Sequence, residues 1–234
     1  MEVNRAENSV NRPDCPRVAS DSDGLVPIGY DQVLRAHHTK VYASWILALA
    51  IVAPAAQGVS AQTLLPAFDP CSNETAQDEL NQEHAEQGSS IAQFLLGLSY
   101  ATGGFCYRQD YFQAIRWYRK AAQQGHSAAQ NNLGYMYANG RGVPQSYSDA
   151  LEWYTKAAEG GFTLAQFNLG RVYAYGRGVK RDYVRAHMWT NLAAIGGDER
   201  AVAARTFLAS QMSPAQIAEA QRLAREWRLK PQAK

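Results

Sequence analysis

From about residue 90 onward the apolar positions recur at helical spacing, and short polar or glycine-rich stretches cut the pattern into segments of similar length. Ala129, Leu133 and Tyr137 recur at i, i+4 and i+8, and Tyr147, Ala150, Tyr154 and Ala157 at i, i+3, i+7 and i+10. One apolar stripe at that period predicts an amphipathic helix in each segment. Ser90, Ser127 and Thr163 open one set of helices and Asp110, Ser146 and Asp182 a second set. All carry side chains that accept from the free N–H groups of a first turn, each worth about 1 kcal/mol. Gly140 and Gly176 stand where the first kind of helix must stop with a positive φ, and Gly161 and Gly197 do the same for the second.

The segments repeat. Ala92-Gln93-Phe94-Leu95-Leu96-Gly97, Ala129-Gln130-Asn131-Asn132-Leu133-Gly134 and Ala165-Gln166-Phe167-Asn168-Leu169-Gly170 align in register, each followed by Tyr100, Tyr137 or Tyr173. A glycine-rich stretch comes next: Gly103-Gly104, then Gly140-Arg141-Gly142-Val143, then Gly176-Arg177-Gly178-Val179. Behind it stand Asp110-Tyr111, Ser146-Tyr147 and Asp182-Tyr183, and then Ala114 to Tyr118, Ala150 to Tyr154 and Ala186 to Thr190. The period is 36, with one extra residue in the first loop. A fixed period of this size is the signature of a stacked-repeat architecture. Gly97, Gly134 and Gly170 stand inside helices, where glycine costs about 1 kcal/mol relative to alanine. Close approach of the partner helix would account for them, while the tyrosines and Trp117, Trp153 and Trp189 fill the space between units.

On these residues the chain resembles the Sel1-like repeat family, a relative of the tetratricopeptide repeats. The family pattern of A-Q-x-x-L-G-x-x-Y-x-x-G, G-x-G-V, D-Y and A-x-x-W-Y-x-K-A-A-x-x-G is met almost in full by the second unit, and the likeness spans Ser90 to Gly197. The resemblance implies an all-α, right-handed superhelical solenoid of helix-turn-helix repeats, with units at 90–125, 126–161 and 162–197. The first unit departs from the pattern in its loop, at Gly103-Gly104-Phe105-Cys106-Tyr107. The third has Thr190-Asn191-Leu192 where Tyr-x-Lys is usual. Both departures bear on what the surface binds rather than on the fold.

The flanks differ in character. Residues 1–32 are polar, with no apolar period and no reason to fold. Residues 33–61 combine a basic stretch (Arg35, His37, His38, Lys40), an apolar run from Val41 to Val52 and an A-x-A-like site before Gln62, which reads as a secretory signal cleaved after Ala61. A retained membrane anchor is the alternative, although the run is short of the ~20 residues that span a bilayer. A start at Val33 would leave the leader, and Cys15 with it, untranslated. The mature chain then holds Cys71 and Cys106, and an even count behind an export signal favours a disulfide over two unpaired thiols. Residues 62–89 form a capping segment and helix, because Ala85-Glu86-Gln87-Gly88 matches the close of a unit. Past Gly197 the repeat lapses. Residues 198–229 predict two closing helices, one with Ala201, Ala204, Phe207 and Leu208 on one side, the other opened by Ser213-Pro214-Ala215-Gln216 and striped by Ile217, Ala220, Leu223, Ala224 and Trp227. Residues 230–234 are a tail.

Charge changes the picture only along the axis of the array. The whole chain carries a formal +2, yet residues 62–107 hold six acidic side chains and no Lys or Arg, whereas residues 108–234 hold 18 basic and 9 acidic ones. Solvated helix faces explain this, and so does a dipolar solenoid that orients a charged partner. His84, His126 and His187 lie on different units with no nucleophile or carboxylate at a telling spacing. The Gly140-Arg141-Gly142 loop follows no strand and recurs, so its glycines read as turn residues rather than a phosphate cradle. No enzymatic role, metal site or cofactor is expected.

Arrays of this kind bind along a concave surface made from their first helices. Opposite the core stripe of the second unit lie Asn131, Tyr135 and Asn139, with Phe94, Leu98 and Thr102 as equivalents in the first unit and Phe167, Arg171 and Tyr175 in the third. These positions vary between copies while core positions do not, as a groove adapted to one partner would show; packing or incidental surface is the alternative. The sequence therefore predicts a periplasmic or secreted, non-enzymatic interaction module that binds another protein or peptide, with no nucleic acid. By resemblance, relatives act as adaptors or as periplasmic regulators of a membrane sensor. An envelope hydrolase related to peptidoglycan, or an assembly factor for one, is the competing class.

Overall fold

The computed structural model describes residues 81–103 and 107–229. Residues 81–86 are helical, and eight helices follow: α1 (Ser90–Thr102), α2 (Tyr111–Gln123), α3 (Ser127–Asn139), α4 (Tyr147–Glu159), α5 (Thr163–Tyr175), α6 (Tyr183–Ile195), α7 (Glu199–Ser210) and α8 (Pro214–Leu229). Among the described residues there is no strand. The expected leader, signal, tail and both mature cysteines lie outside them.

The helix starts follow a stricter rule than hydroxyl placement. Asp110, Ser146 and Asp182 cap α2, α4 and α6 as expected, each accepting from N–H groups of the first turn. Ser90, Ser127 and Thr163 do not cap; they are the first helical residues of α1, α3 and α5. The caps stand one residue earlier. Ser89 Oγ accepts from the Ala92 N–H at 3.4 Å and His126 Nδ1 from the Ala129 N–H at 3.3 Å, while Phe162 caps α5 with no side-chain bond. The reason is the preceding turn. Gly88, Gly125 and Gly161 take positive φ, and the carbonyl of the very next residue already accepts the first helical bond.

Helices pair within units, α1 on α2, α3 on α4 and α5 on α6, and the stack continues through α2 on α3, α4 on α5 and α6 on α7. The glycines inside the first helices mark the crossings. A Cβ on Gly97 would sit 2.7 Å from the Tyr118 ring, on Gly134 2.8 Å from the Tyr154 ring, and on Gly170 2.7 Å from the Thr190 methyl. The second glycine of each Gly-Arg-Gly loop has a comparable duty between units. With φ near 70°, Gly142 lies where a Cβ would come within 2.8 Å of the Tyr111 backbone, and Gly178 within 2.6 Å of the Tyr147 backbone. The arginine between the glycines joins the same contact: Arg141 lies over Tyr111 and Tyr135, and Arg177 over Tyr147 and Tyr175. These loops are inter-unit seats, which agrees with reading their glycines as turn residues.

The glutamine of the repeated Ala-Gln pair stitches each unit to the one before. Gln93 Nε2 donates to the Ala85 carbonyl at 2.9 Å, Gln130 to Ala122 at 3.1 Å and Gln166 to Ala158 at 3.3 Å. Each bond is a second one to a helix-end carbonyl that also accepts from the turn glycine after it, Gly88, Gly125 or Gly161. Ala85 joins this series and is fully buried, so the segment before Gly88 supplies the closing half of a unit.

At the other end α7 takes the place of a fourth first helix. Asp198 caps it, and Ala201 is buried at the position of Ala129 and Ala165. Its partner does not follow suit: α8 packs against α6 instead of folding back on α7. Phe207, expected on the core side, is consequently 66% exposed, because the helix that would have covered it is elsewhere. The start of α8 forms the expected reciprocal cap, with the Ser213 N–H donating to Gln216 Oε1 at 2.9 Å and the Gln216 N–H to Ser213 Oγ at 3.3 Å. Trp227 meets Trp189 edge-on at 5.7 Å between ring centres. Among the described residues no helix is long and apolar enough to cross a membrane.

Candidate functional site

The nine residues expected to line a groove divide sharply. Phe94, Leu98, Asn131, Tyr135 and Phe167 are buried; Thr102, Asn139 and Arg171 are half-buried; Tyr175 is exposed. A continuous solvent-facing line opposite the core stripe is therefore not what these helices present. Each first helix is held between its own second helix and its neighbours in the stack, so little of its circumference reaches water. Thr102 and Asn139 bond back to their own helices, to the carbonyls of Leu98 and Tyr135. Phe94 stacks on His126 at 4.8 Å.

Asn131 belongs to a buried polar ladder that crosses units. Asn168 Nδ2 donates to Asn131 Oδ1 at 2.9 Å, Asn131 Nδ2 to Asn132 Oδ1 at 3.3 Å, and Asn132 Nδ2 to the Tyr118 hydroxyl at 3.2 Å. Its role is internal. Satisfied networks of this kind fix a unique packing, since a buried amide without partners is costly.

The third unit is different. Phe167, Arg171 and Tyr175 line a cleft of about 510 Å³ that runs between α5 and α7, floored by Gly170 and Thr190 and walled on the far side by Phe207 and Leu208. One side chain of its floor departs from the other units. In the first two units the position of Thr190 holds Tyr118 and Tyr154, whose rings lie over Gly97 and Gly134 and are 1% and 0% exposed. Threonine puts only a methyl over Gly170, and its hydroxyl turns to its own helix, to the Ala186 carbonyl at 2.9 Å. Thr190 is itself 1% exposed and Gly170 is buried, so the floor is closed, and the accessible part of the cleft is its rim, where Tyr175 and Phe207 are exposed. On α7, Ala203 and Ala204 add little bulk to the opposite wall.

The cleft is cationic. Its lining includes Arg171 and Arg181 and no carboxylate. Arg171 lies over the rings of Phe167 (5.7 Å) and Tyr175 (5.6 Å), and Arg181 over Tyr183 (5.3 Å). Arg200 also approaches Phe167, at 5.0 Å, but is held by Asp198 at 2.6 Å. That contact, with the backbone N–H groups of α7, keeps the Asp198 carboxyl below the usual range against the opposing effect of burial. Beneath the site, burial drives the Tyr154 hydroxyl far above the ordinary tyrosine value and nearby Arg171 only partly offsets it, so Tyr154 is neutral.

Of this lining the sequence predicts Phe167, Arg171 and Tyr175 and misses Arg181, Thr190 and Phe207. The break from Tyr-x-Lys to Thr190-Asn191-Leu192 was the visible signal for the cleft, and its meaning needed the partner elements. His187 is buried, and burial together with Arg205 holds it below the ordinary histidine value. Among the described residues no cluster of His, Cys, Asp and Glu could hold a metal ion.

Comparison with known proteins agrees with this architecture. The Sel1 repeat family model matches at residues 90–126, 127–162 and 163–198. A Sel1 repeat protein from Oxalobacter formigenes is 41% identical, with 55% of this chain and 96% of that one covered and a TM-score of 0.51. A protective antigen of uropathogenic Escherichia coli strains with an SLR fold is 27% identical, with 74% of this chain covered and a TM-score of 0.50. The match takes in 47% of that antigen's length. Among curated proteins none matches. Sel1 repeats are in general protein–protein interaction modules. With three repeats matched and nearly the whole of the Oxalobacter protein covered, the chain belongs to the Sel1 repeat family, as an all-α helical-repeat solenoid.

Proposed function

We propose that this protein is a non-enzymatic adaptor or regulator that is exported behind the signal at 33–61 and holds a segment of another protein in the cleft beside the third repeat. The observation that carries this reading is the cleft itself. Beside the third repeat lies a recess of about 510 Å³ whose lining includes Phe167, Arg171, Tyr175, Arg181, Tyr183 and Phe207. Aromatic and arginine side chains around a concave site are the usual anchors of a protein interface. The acidic amino-terminal third and basic remainder of the exported chain would orient a charged partner on approach. In an oxidising compartment Cys71 and Cys106 would be bridged, which pins the capping segment to the first unit.

The test is capture of partners from the envelope fraction of the native cell by the tagged protein, alongside an Arg171→Ala, Tyr175→Ala variant of unchanged melting temperature. A partner retained by the native protein and lost by the variant supports the reading. Identical captures, or none, overturn it. Localisation is checked separately by fractionation and by the amino-terminal residue of the purified protein, expected to be Gln62.

A further inference from the structure

The loop between α5 and α6 departs from its counterparts in charge. Aligned on Tyr147 and Tyr183, Lys180, Arg181 and Arg185 of the third unit take the places of Pro144, Gln145 and Asp149 of the second. In the first two units the glutamine ties the loop to its own first helix: Gln109 Nε2 donates to the Ala101 carbonyl at 2.8 Å and Gln145 Nε2 to the Ala138 carbonyl at 2.7 Å. Arg181 is instead exposed and lies over the Tyr183 ring at 5.3 Å. From Arg177 to Arg185 four basic side chains stand against one carboxylate, and that one, Asp182, caps α6. Lys180, Arg181 and Arg185 are exposed. Rings project beside them: Tyr175 and Phe207, 63% and 66% exposed, line the same cleft as Arg181.

We propose that this edge of the third unit is a seat on a membrane surface rich in anionic phospholipid headgroups. Basic side chains close to such a surface are drawn to it one by one, and their long stems let the charge reach a phosphate while the apolar part rests on the boundary layer. Phe207 has no cover of the protein's own, and a ring beside cations suits the shallow apolar layer beneath the headgroups. The cations are spread along a loop and the first turn of α6 rather than converged on a point, which fits a laterally extended charge better than a single carboxylate. The array also carries its own orientation. Glu83 and Glu86 are exposed at the opposite end of the stack, so the surface that attracts the third unit repels the amino-terminal one. The inference goes beyond the docking reading and does not depend on it.

Co-sedimentation with vesicles of the protein purified from its native cell tests this. Binding is expected to vesicles of equal parts phosphatidylcholine and phosphatidylglycerol, to fall as salt is raised, and to be absent with phosphatidylcholine alone. The variant Lys180→Gln, Arg181→Gln, Arg185→Gln is expected to bind about a hundredfold more weakly, the loss of three charges near an anionic surface. Phe207→Ala, at an exposed position, is expected to lose about tenfold with an unchanged melting temperature. Arg116→Gln, Arg225→Gln, Arg228→Gln removes the same charge from exposed positions on α2 and α8. It is expected to stay within about twofold of the native protein, because distant charges are screened.

Equal binding to both kinds of vesicle, no binding, or undiminished binding by the loop variant overturns the inference. An equal loss in the α2 and α8 variant does so too, since net charge would then be the cause. Displacement by inorganic phosphate at constant ionic strength also overturns it, by making the site one for a free anion. Vesicle binding that is lost in the loop variant stands even if the captures of the docking test are identical. Captures that depend on Arg171 and Tyr175 do not rescue it if anionic vesicles are not bound.

Discussion

The second and third repeats share a helical framework and differ, among other positions, at three neighbouring side chains: Tyr154-Thr155-Lys156 in one, Thr190-Asn191-Leu192 in the other. Each difference has an identifiable neighbour. Lys156 extends over the ring of Trp153 at 4.5 Å on a face that stays wet, whereas Leu192 is 4% exposed because α8 lies across the same face of α6. Asn191 accepts from Arg205 Nη1 at 2.9 Å and so ties α7 to the third unit, a contact for which Thr155, bonded to its own helix, has no counterpart. Thr190 lies in the floor of the cleft. A departure from a repeat pattern thus records what packs next to that copy.

The comparison can be broken by exchanging the two residues, and this has the largest expected effect. Tyr154 is fully buried, so Tyr154→Thr removes a ring from a closed core and is expected to cost about 3 kcal/mol, read as a fall in the urea midpoint at constant slope. Thr190→Tyr must enlarge a closed floor, although it has Gly170 beneath the ring and the cleft beside it, and is expected to cost less. If the two exchanges cost the same, the third pocket is as tightly packed as the second and the cleft is not a solution feature.

A smaller effect sharpens the contrast between the interior and the rim of the first helices. Asn131 is fully buried and bonds to both Asn132 and Asn168, while Asn139 reaches only the Tyr135 carbonyl one turn back. Asn131→Ala is expected to cost about 2 kcal/mol, since it takes an acceptor from the buried Asn168 amide as well as its own contacts. Asn139→Ala is expected to stay within about 0.5 kcal/mol. Equal losses at the two positions, measured by the same denaturation, would deny the ladder its structural role.

These two asparagines also show how far the sequence could be read. Periodicity located every helix and the phase of the repeat, because alanine, leucine and glycine at fixed spacing leave one packing solution. It placed Asn131 and Asn139 on one line and gave both to solvent, since an amphipathic pattern assumes a helix with a single buried face. The first helices here are enclosed by three neighbours, and polarity at Asn131 reflects an internal partner 37 residues away. The same limit hid the pocket. Thr190 is visible as an irregularity, yet its consequence depends on the α7 residues that face it across the cleft, and nothing local to α8 says that it packs on α6 rather than on α7. Helix caps failed for a simpler reason. The glycine turn sets the entry, so the residue after Gly125 must cap even though it is a histidine rather than a serine.

That histidine gives the smallest effect, one that again separates the units. His126 accepts a hydrogen bond at Nδ1 from the Ala129 N–H and stacks on Phe94, and burial lowers its pKa below the ordinary 6.5. His187, deep in the third unit beside Arg205, is lowered as well, first by burial and then by that charge. A histidine depressed in the folded state takes up its proton more readily when unfolded. Near pH 6.5 and below, the unfolded chain therefore binds more protons, and stability must rise with pH through that window. Above it both histidines are neutral in either state and contribute no slope; the loss on acidification levels off once pH passes below the depressed folded values. Denaturation midpoints measured across this range are expected to climb and then flatten. His126→Asn retains a capping side chain and removes one of the two titrations, so its profile should be shallower than that of the native protein. A native profile that is flat through 6.5 would mean that neither ring is held neutral by the stack. A variant profile as steep as the native one would assign the whole slope to His187 and the third unit.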